Sequence, residues 1–108
     1  MDDLRQVYER GDEVQIVDCR EPYEWAAGRI EGAIFVPLNS LMAGGERGIV
    51  DPEKPVFVVC RSGNRSELAT MMLRARGFDA ENMEGGMEAW AALGLPFTAE
   101  DGSPGRVA

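Results

Sequence analysis

The sequence predicts a small α/β domain, an open and mostly parallel sheet flanked by helices. Three observations point there. The chain has 108 residues, room for one hydrophobic core. Short apolar runs at residues 14–19, 33–36 and 56–60 alternate with segments of helical periodicity. Glycine and proline stand at most of the boundaries between them. Strands that alternate with helices pair in parallel, and such sheets bind ligands outside the carboxyl ends of their strands.

The elements follow in order. Leu4, Val7 and Tyr8 stand at helical spacing, and Gly11 stops that helix. Residues 14–19 form a buried strand that ends in Asp18-Cys19-Arg20. Glu21-Pro22 opens a short helix over residues 23–27, with proline at an early position that tolerates it. Residues 33–36 form a strand, ended by Pro37. Residues 43–55 carry Gly44, Gly45, Gly48, Pro52 and Pro55 and form a loop, preceded by a short helical turn. Residues 56–60 are the most apolar strand.

Ser62-Gly63-Asn64 is a turn, and Ser66 is the expected cap of the next helix. Leu68, Met71, Met72 and Ala75 fall at i, i+3, i+4 and i+7 and predict its buried face. Gly77 ends it. Residues 78–83 form a weak, partly polar strand suited to an edge. Gly85-Gly86 turns into a last helix with Met87, Trp90, Ala91 and Leu93, and Trp90 is expected in the core. Residues 1–99 make the domain; residues 100–108 are a polar tail expected to fray.

Charge and composition exclude several functions. The net charge is −8, which argues against a nucleic-acid or anionic-membrane surface. No apolar run approaches the ~20 residues that span a bilayer. Met1-Asp2-Asp3 is acidic, with no apolar leader, so the expected location is cytoplasmic. Histidine is absent, which removes Ser-His-Asp and Cys-His catalysis and the commonest zinc ligand. Two cysteines, Cys19 and Cys60, make neither a disulfide scaffold nor a thiolate metal site, so no metal or cofactor is expected. The only basic segment, residues 61–76, has a net charge of +3 and begins immediately after Cys60. An anionic reactant is drawn there. Arg74 and Arg76 serve more simply as complements to a helix C-terminus.

Cys60-Arg61-Ser62-Gly63-Asn64-Arg65-Ser66 joins a buried strand to a helix. Such a turn aims backbone N–H groups at one point, and the helix start adds partial positive charge. A cysteine held there favours its thiolate. Gly63 leaves room for a tight ring of amides, and Arg61 and Arg65 add charge for an incoming anion. Without a histidine to move protons, the site suits sulfur exchange, in which a thiolate attacks and a stable sulfur anion leaves. The simpler reading of a free cysteine is a buried apolar filler.

Four segments together resemble a single-domain rhodanese, a sulfurtransferase family. They are residues 17–21 (Val-Asp-Cys-Arg-Glu), 28–33 (Gly-Arg-Ile-Glu-Gly-Ala), 59–66, and Glu84-Gly85-Gly86-Met87-Glu88-Ala89-Trp90 running on to Gly94-Leu95-Pro96. The resemblance covers roughly residues 4–97 and implies a rhodanese-like sheet. It makes Cys60 the sulfur acceptor that becomes a persulfide. It makes Arg61, Ser62, Gly63, Asn64 and Arg65 the loop that cradles the outer sulfur, with Asp18, Arg20 and Ser66 in support. The implied partners are a small anionic sulfur donor, a thiol acceptor and a protein persulfide donor. Three departures stand out. Arg29 replaces the family's histidine, Cys19 replaces an apolar residue, and the family's opening edge strand is missing.

Two other functions compete. One is a non-enzymatic rhodanese-fold binding module, a kind that often lacks the cysteine present here as Cys60. A cysteine-dependent phosphatase or arsenate reductase would need a wider loop than the four residues between Cys60 and Arg65. Cys19 is expected as a core filler facing away from the loop, because side chains alternate along a strand and Asp18 and Arg20 are taken to face it. A Cys19–Cys60 disulfide is the less favoured alternative.

Overall fold

Four short strands form one parallel sheet in the computed structural model, which describes residues 4–108. They are β1 (Gln15–Asp18), β2 (Ile34–Phe35), β3 (Val56–Val59) and β4 (Ala80–Asn82), in the order β2-β1-β3-β4. The helices are α1 (Leu4–Arg10), α2 (Pro22–Ala27), α3 (Leu38–Met42), α4 (Asn64–Ala75) and α5 (Gly86–Ala92). A 3-10 turn, Gly11–Glu13, joins α1 to β1. The leader-free opening expected at Met1-Asp2-Asp3 lies outside the described residues. Among the described residues α1 comes first and no strand precedes it.

The strand Val56-Phe57-Val58-Val59 is central because all four residues are apolar and both its faces are covered. One face packs Val17, Cys19, Val58 and Cys60 against Ala69 and Leu73 of α4. The other packs Phe57 and Val59 against Val7 of α1 and Met87 and Trp90 of α5. Trp90 is fully buried, as expected, and its indole N–H donates to the Pro96 carbonyl at 2.9 Å. β4 is an edge strand, as its polar residues predict. β2 is shorter than expected, because only Ile34 and Phe35 pair with β1.

Helix α4 departs from its predicted face. Leu68 is 47% exposed and Met71 60% exposed, while Ser66, Ala69, Thr70 and Leu73 are buried. The helix starts at Asn64, and its first turn is directed at Cys60 rather than placed by its largest apolar residues. Small side chains at 66 and 69 let it approach the central strand closely. Residues 100–108, expected to fray, are tied down. The N–H groups of Glu100, Gly105 and Arg106 donate to the carbonyls of Ala26, Phe97 and Ala27. Val107 packs against the α1/α5 face of the core.

Candidate active site

Cys60 is the first residue past β3, at the carboxyl end of the central strand. The chain then turns through Gly63 at φ +109°, a left-handed conformation that favours glycine. This turn brings the Gly63 N–H to 3.0 Å from Cys60 Sγ, to which it donates. The Ser66 hydroxyl lies 3.2 Å from the same sulfur. Ser66 is therefore not the cap expected from the sequence. It sits inside the first turn of α4, where the cap position is Gly63, and its side chain points at Cys60 Sγ.

Cys60 is 1% exposed. Burial pushes its thiol up, but the Ser66 hydroxyl and the backbone N–H groups of Ser66, Gly63 and Ser62 outweigh burial and leave it below the ordinary cysteine value. Cys19 has the opposite balance. Burial, then the charges of Cys60 and Asp18, push its thiol up to about 12. Its Sγ donates to the Val59 carbonyl, at 3.5 Å.

The start of α5 holds the loop from behind. Met87 N–H donates to the Cys60 carbonyl at 2.8 Å, and Glu88 N–H to the Arg61 carbonyl at 3.0 Å. A Cβ on Gly86 would stand 2.3 Å from the Cys60 oxygen, so only glycine permits this approach. The Gly85-Gly86 pair thus walls the Cys60 loop as well as making a turn.

Of the four arginines in the basic segment, Arg61 and Arg65 are those expected at the loop, and three of the four are committed elsewhere. Arg65 gives both guanidinium ends to Glu24 of α2, at 2.7 and 2.8 Å. The Glu24 carboxylate is almost fully buried. Burial pushes it up, but Arg65 and the Glu21 N–H prevail and hold it below the usual carboxylate range. Arg65, expected in the loop as a donor-binding cation, is a helix residue whose charge is already matched. Arg74 donates to the Ala80 carbonyl, and Arg76 to Glu46 and the Leu41 carbonyl. Arg61 stays half-exposed beside the loop with a loose contact to Glu88 at 3.5 Å. Ser62 and Asn64 are exposed at the same rim.

Asp18 and Arg20 form a buried pair at 2.7 Å, and Arg20 also donates to the Gly28 carbonyl at 2.6 Å. They brace the β1–α2 connection and make no hydrogen bond to the loop, contrary to the support expected of them. Their placement also corrects the expectation for Cys19. Asp18 pairs with Val59 in the sheet register, so Cys19 stands beside Cys60, and both lie on the α4 face. Both are free thiols.

Three contacts at the Cys60 site escape the sequence reading. Glu24 carries a local signal, its position three residues after Glu21 in a capping box, but its partner is 41 residues away. Asn82 on β4 contacts both Ser66 and the Gly63 carbonyl, and no local pattern announces it. Gly86 is visible as a turn, while its contact with Cys60 is visible only in the fold. A cleft of about 450 Å³ lined by Tyr8, Ile16, Ile30, Trp90 and Phe97 includes no residue of the Cys60 loop.

Fold and site together define a class, a parallel α/β domain that presents one cysteine in a collar of backbone amides. The rhodanese-like domain family profile matches residues 1–93, and the chain belongs to that family. It is 35% identical over 92 residues to a sulfurtransferase of Allochromatium vinosum, covering 84% of each chain. It is 30% identical over 90 residues to the "Probable adenylyltransferase/sulfurtransferase MoeZ" of Mycobacterium tuberculosis, covering 82% of this chain. The match spans only 23% of that longer relative. Among solved structures, a rhodanese-related protein of Thermoplasma volcanium superposes with a TM-score of 0.81 at 31% identity, covering 89% of this chain and 94% of that one. A rhodanese-like domain protein of Staphylococcus aureus gives 0.71 at 34% identity, covering 81% and 83%.

Proposed function

We propose that the protein moves sulfane sulfur from thiosulfate or a persulfide donor to a thiol or cyanide acceptor through a persulfide on Cys60. The observation that carries this reading is Cys60 Sγ held by the Gly63 amide and the Ser66 hydroxyl at the start of α4. In the first step the thiolate donates an electron pair to the outer sulfur of thiosulfate. The donor S–S bond breaks, sulfite leaves with its electron pair, and the negative charge passes to the new terminal sulfur. In the second step an acceptor thiolate, or cyanide, attacks that terminal sulfur, and Cys60 departs as thiolate. Neither step needs a proton donor, which suits a chain without histidine. Arg61 is the least committed cation beside the loop and the best placed to meet an anionic donor.

Mass spectrometry after incubation with thiosulfate tests the proposal. The expected result is a gain of one sulfur atom that cyanide removes and that Cys60→Ser does not show. Sulfur uptake by Cys60→Ser would refute Cys60 as acceptor. An aryl phosphate is expected to stay intact under the same conditions, because the collar of amides is sized for one sulfur atom. Phosphate release that disappears in Cys60→Ser would make the chain a phosphatase instead.

A further inference from the structure

Ser66 has one hydroxyl hydrogen and two neighbours that can accept it. Its Oγ lies 3.2 Å from Cys60 Sγ and in close contact with Asn82 Oδ1. The other end of the Asn82 amide fixes this arrangement, since Nδ2 donates to the Gly63 carbonyl at 3.1 Å. Turning the amide over would set its oxygen against the Gly63 oxygen, so Oδ1 must face Ser66. An amide oxygen cannot donate. The Ser66–Asn82 bond therefore exists only while Ser66 supplies its hydrogen.

The two directions of that hydrogen mean different things to Cys60. Directed at Asn82, it leaves a Ser66 lone pair facing Sγ, which suits a neutral sulfur. A thiol can donate to the lone pair, and the inner sulfur of a persulfide carries no charge to be repelled by it. Directed at Sγ, the hydrogen stabilises a thiolate, but Asn82 Oδ1 then faces a bare hydroxyl oxygen. We propose that Asn82 is a positioning residue for Cys60: by competing for the Ser66 hydrogen, it favours the neutral-Sγ states, the resting thiol and the sulfur-loaded persulfide, over the free thiolate. The part concerning the persulfide rests on the sulfurtransferase reading; the part concerning the thiol does not.

The charges around Cys60 are known from each side. Arg65 faces it from α4, its charge matched by Glu24 of α2. Cys19 faces it from the β1 side, with a thiol pushed up to about 12. Asp18, next to Cys19, is paired with Arg20. Arg61 and Glu88 form their loose contact at the rim, and Glu84, after β4, is exposed.

The test is the pH dependence of Cys60 alkylation by iodoacetamide, read by peptide mass mapping on the full chain. It compares wild type, Asn82→Leu, Ser66→Ala and the double variant, with folding checked by circular dichroism. Asn82→Leu is expected to move the midpoint down by roughly half a pH unit, about a threefold change in the thiolate equilibrium. In the Ser66→Ala background the same change is expected to move nothing, because the contested hydrogen is gone. A midpoint that stays or rises in Asn82→Leu overturns the proposal. So does an equal fall in the Ser66→Ala background, which would mark simple relaxation of the loop. Asn82→Ala replaces Asn82→Leu if the latter fails to fold. In parallel, at a pH above both midpoints, where unloaded Cys60 is thiolate, the ratio of sulfur-loaded to unloaded protein at equilibrium with glutathione persulfide is expected to drop about threefold in Asn82→Leu. A shifted midpoint with unchanged loading overturns the persulfide half. Failure of wild type to load at all would sink the sulfurtransferase reading while leaving the alkylation result standing.

Discussion

Cys19 and Cys60 stand side by side on one face of the sheet, each 1% exposed, and differ in what surrounds the sulfur. Cys60 ends a strand where the chain turns its amides inward, so hydrogen bonds lower its thiol. Cys19 donates to a carbonyl and its thiol rises to about 12. Both are hidden from solvent, but Cys19 lies deeper and lacks the hydroxyl and amide donors that offset burial at Cys60. At about pH 8, iodoacetamide is therefore expected to modify Cys60 and to spare Cys19 until the protein is unfolded. Comparable labelling of both in the folded protein, measured by peptide mapping, would contradict this. Arg65 makes a second contrast at this scale. Arg65→Ala leaves the Glu24 carboxylate buried without its partner. Because the Arg65 side chain is 35% exposed, the expected loss is screened to about 1–2 kcal/mol. Catalytic efficiency is expected to fall roughly tenfold as the start of α4 loosens. Arg74→Ala should cost less than Arg65→Ala in a steady-state thiosulfate assay, because Arg74 ties α4 to a β4 carbonyl.

Between elements, the Glu24–Arg65 pair clamps α2 to the start of α4, the helix that carries Ser66. The carboxylate is held below the usual range, so the folded state binds its proton more weakly than the unfolded chain does. The stability this contributes is present above the ordinary carboxylate value of 4.5 and is lost as pH falls through the lower folded-state value. Thermal melts from about pH 5 to about pH 3 are expected to fall more steeply in wild type than in Glu24→Gln. Glu24→Gln should in turn be the less stable protein near neutrality. Parallel pH profiles would show that the pair adds nothing. The clamp also marks where the sequence stops being legible. The strand–loop–helix at Cys60 is readable because all its parts are local: a β-branched run, Gly63, and a helix start. The α4 face is misread because period alone ranks Leu68 and Met71 above Ala69, whereas closeness to the central strand selects small residues. Asn82 is not readable at all, and Glu24 is readable only as a capping-box residue. Each acts on a partner brought near only by the sheet order β2-β1-β3-β4.

Across the whole molecule, the chain closes on itself at the end of α2. Thr98 bridges Arg29 on one side and Pro104 on the other, both antiparallel. Beyond it, Arg106 N–H donates to Ala27 and Gly105 N–H to Phe97. The fit is close at Gly28, whose backbone is extended and open to any residue. A Cβ there would stand 2.7 Å from the Arg106 oxygen and 2.8 Å from the Phe97 ring, so the close approach is what requires glycine. A polar Gly/Pro composition suggests fraying because it holds few apolar residues. The tail is ordered instead by backbone pairing, which composition does not report, and by Val107 in the core. Removing residues 100–108 deletes the three backbone hydrogen bonds that Glu100, Gly105 and Arg106 give to Ala26, Phe97 and Ala27, and the burial of one valine. At about 0.5–1 kcal/mol for each bond and about 1 kcal/mol for the partly buried valine, the loss is about 2.5–4 kcal/mol. For a domain of this size that lowers Tm by roughly 10 °C or more. The loosened end of α2 lies one turn from Glu24, so persulfide formation on Cys60 is expected to slow as well, without being abolished. Calorimetry and a thiosulfate rate on the truncated chain check both. An unchanged Tm would mean that the tail rests on the fold without supporting it.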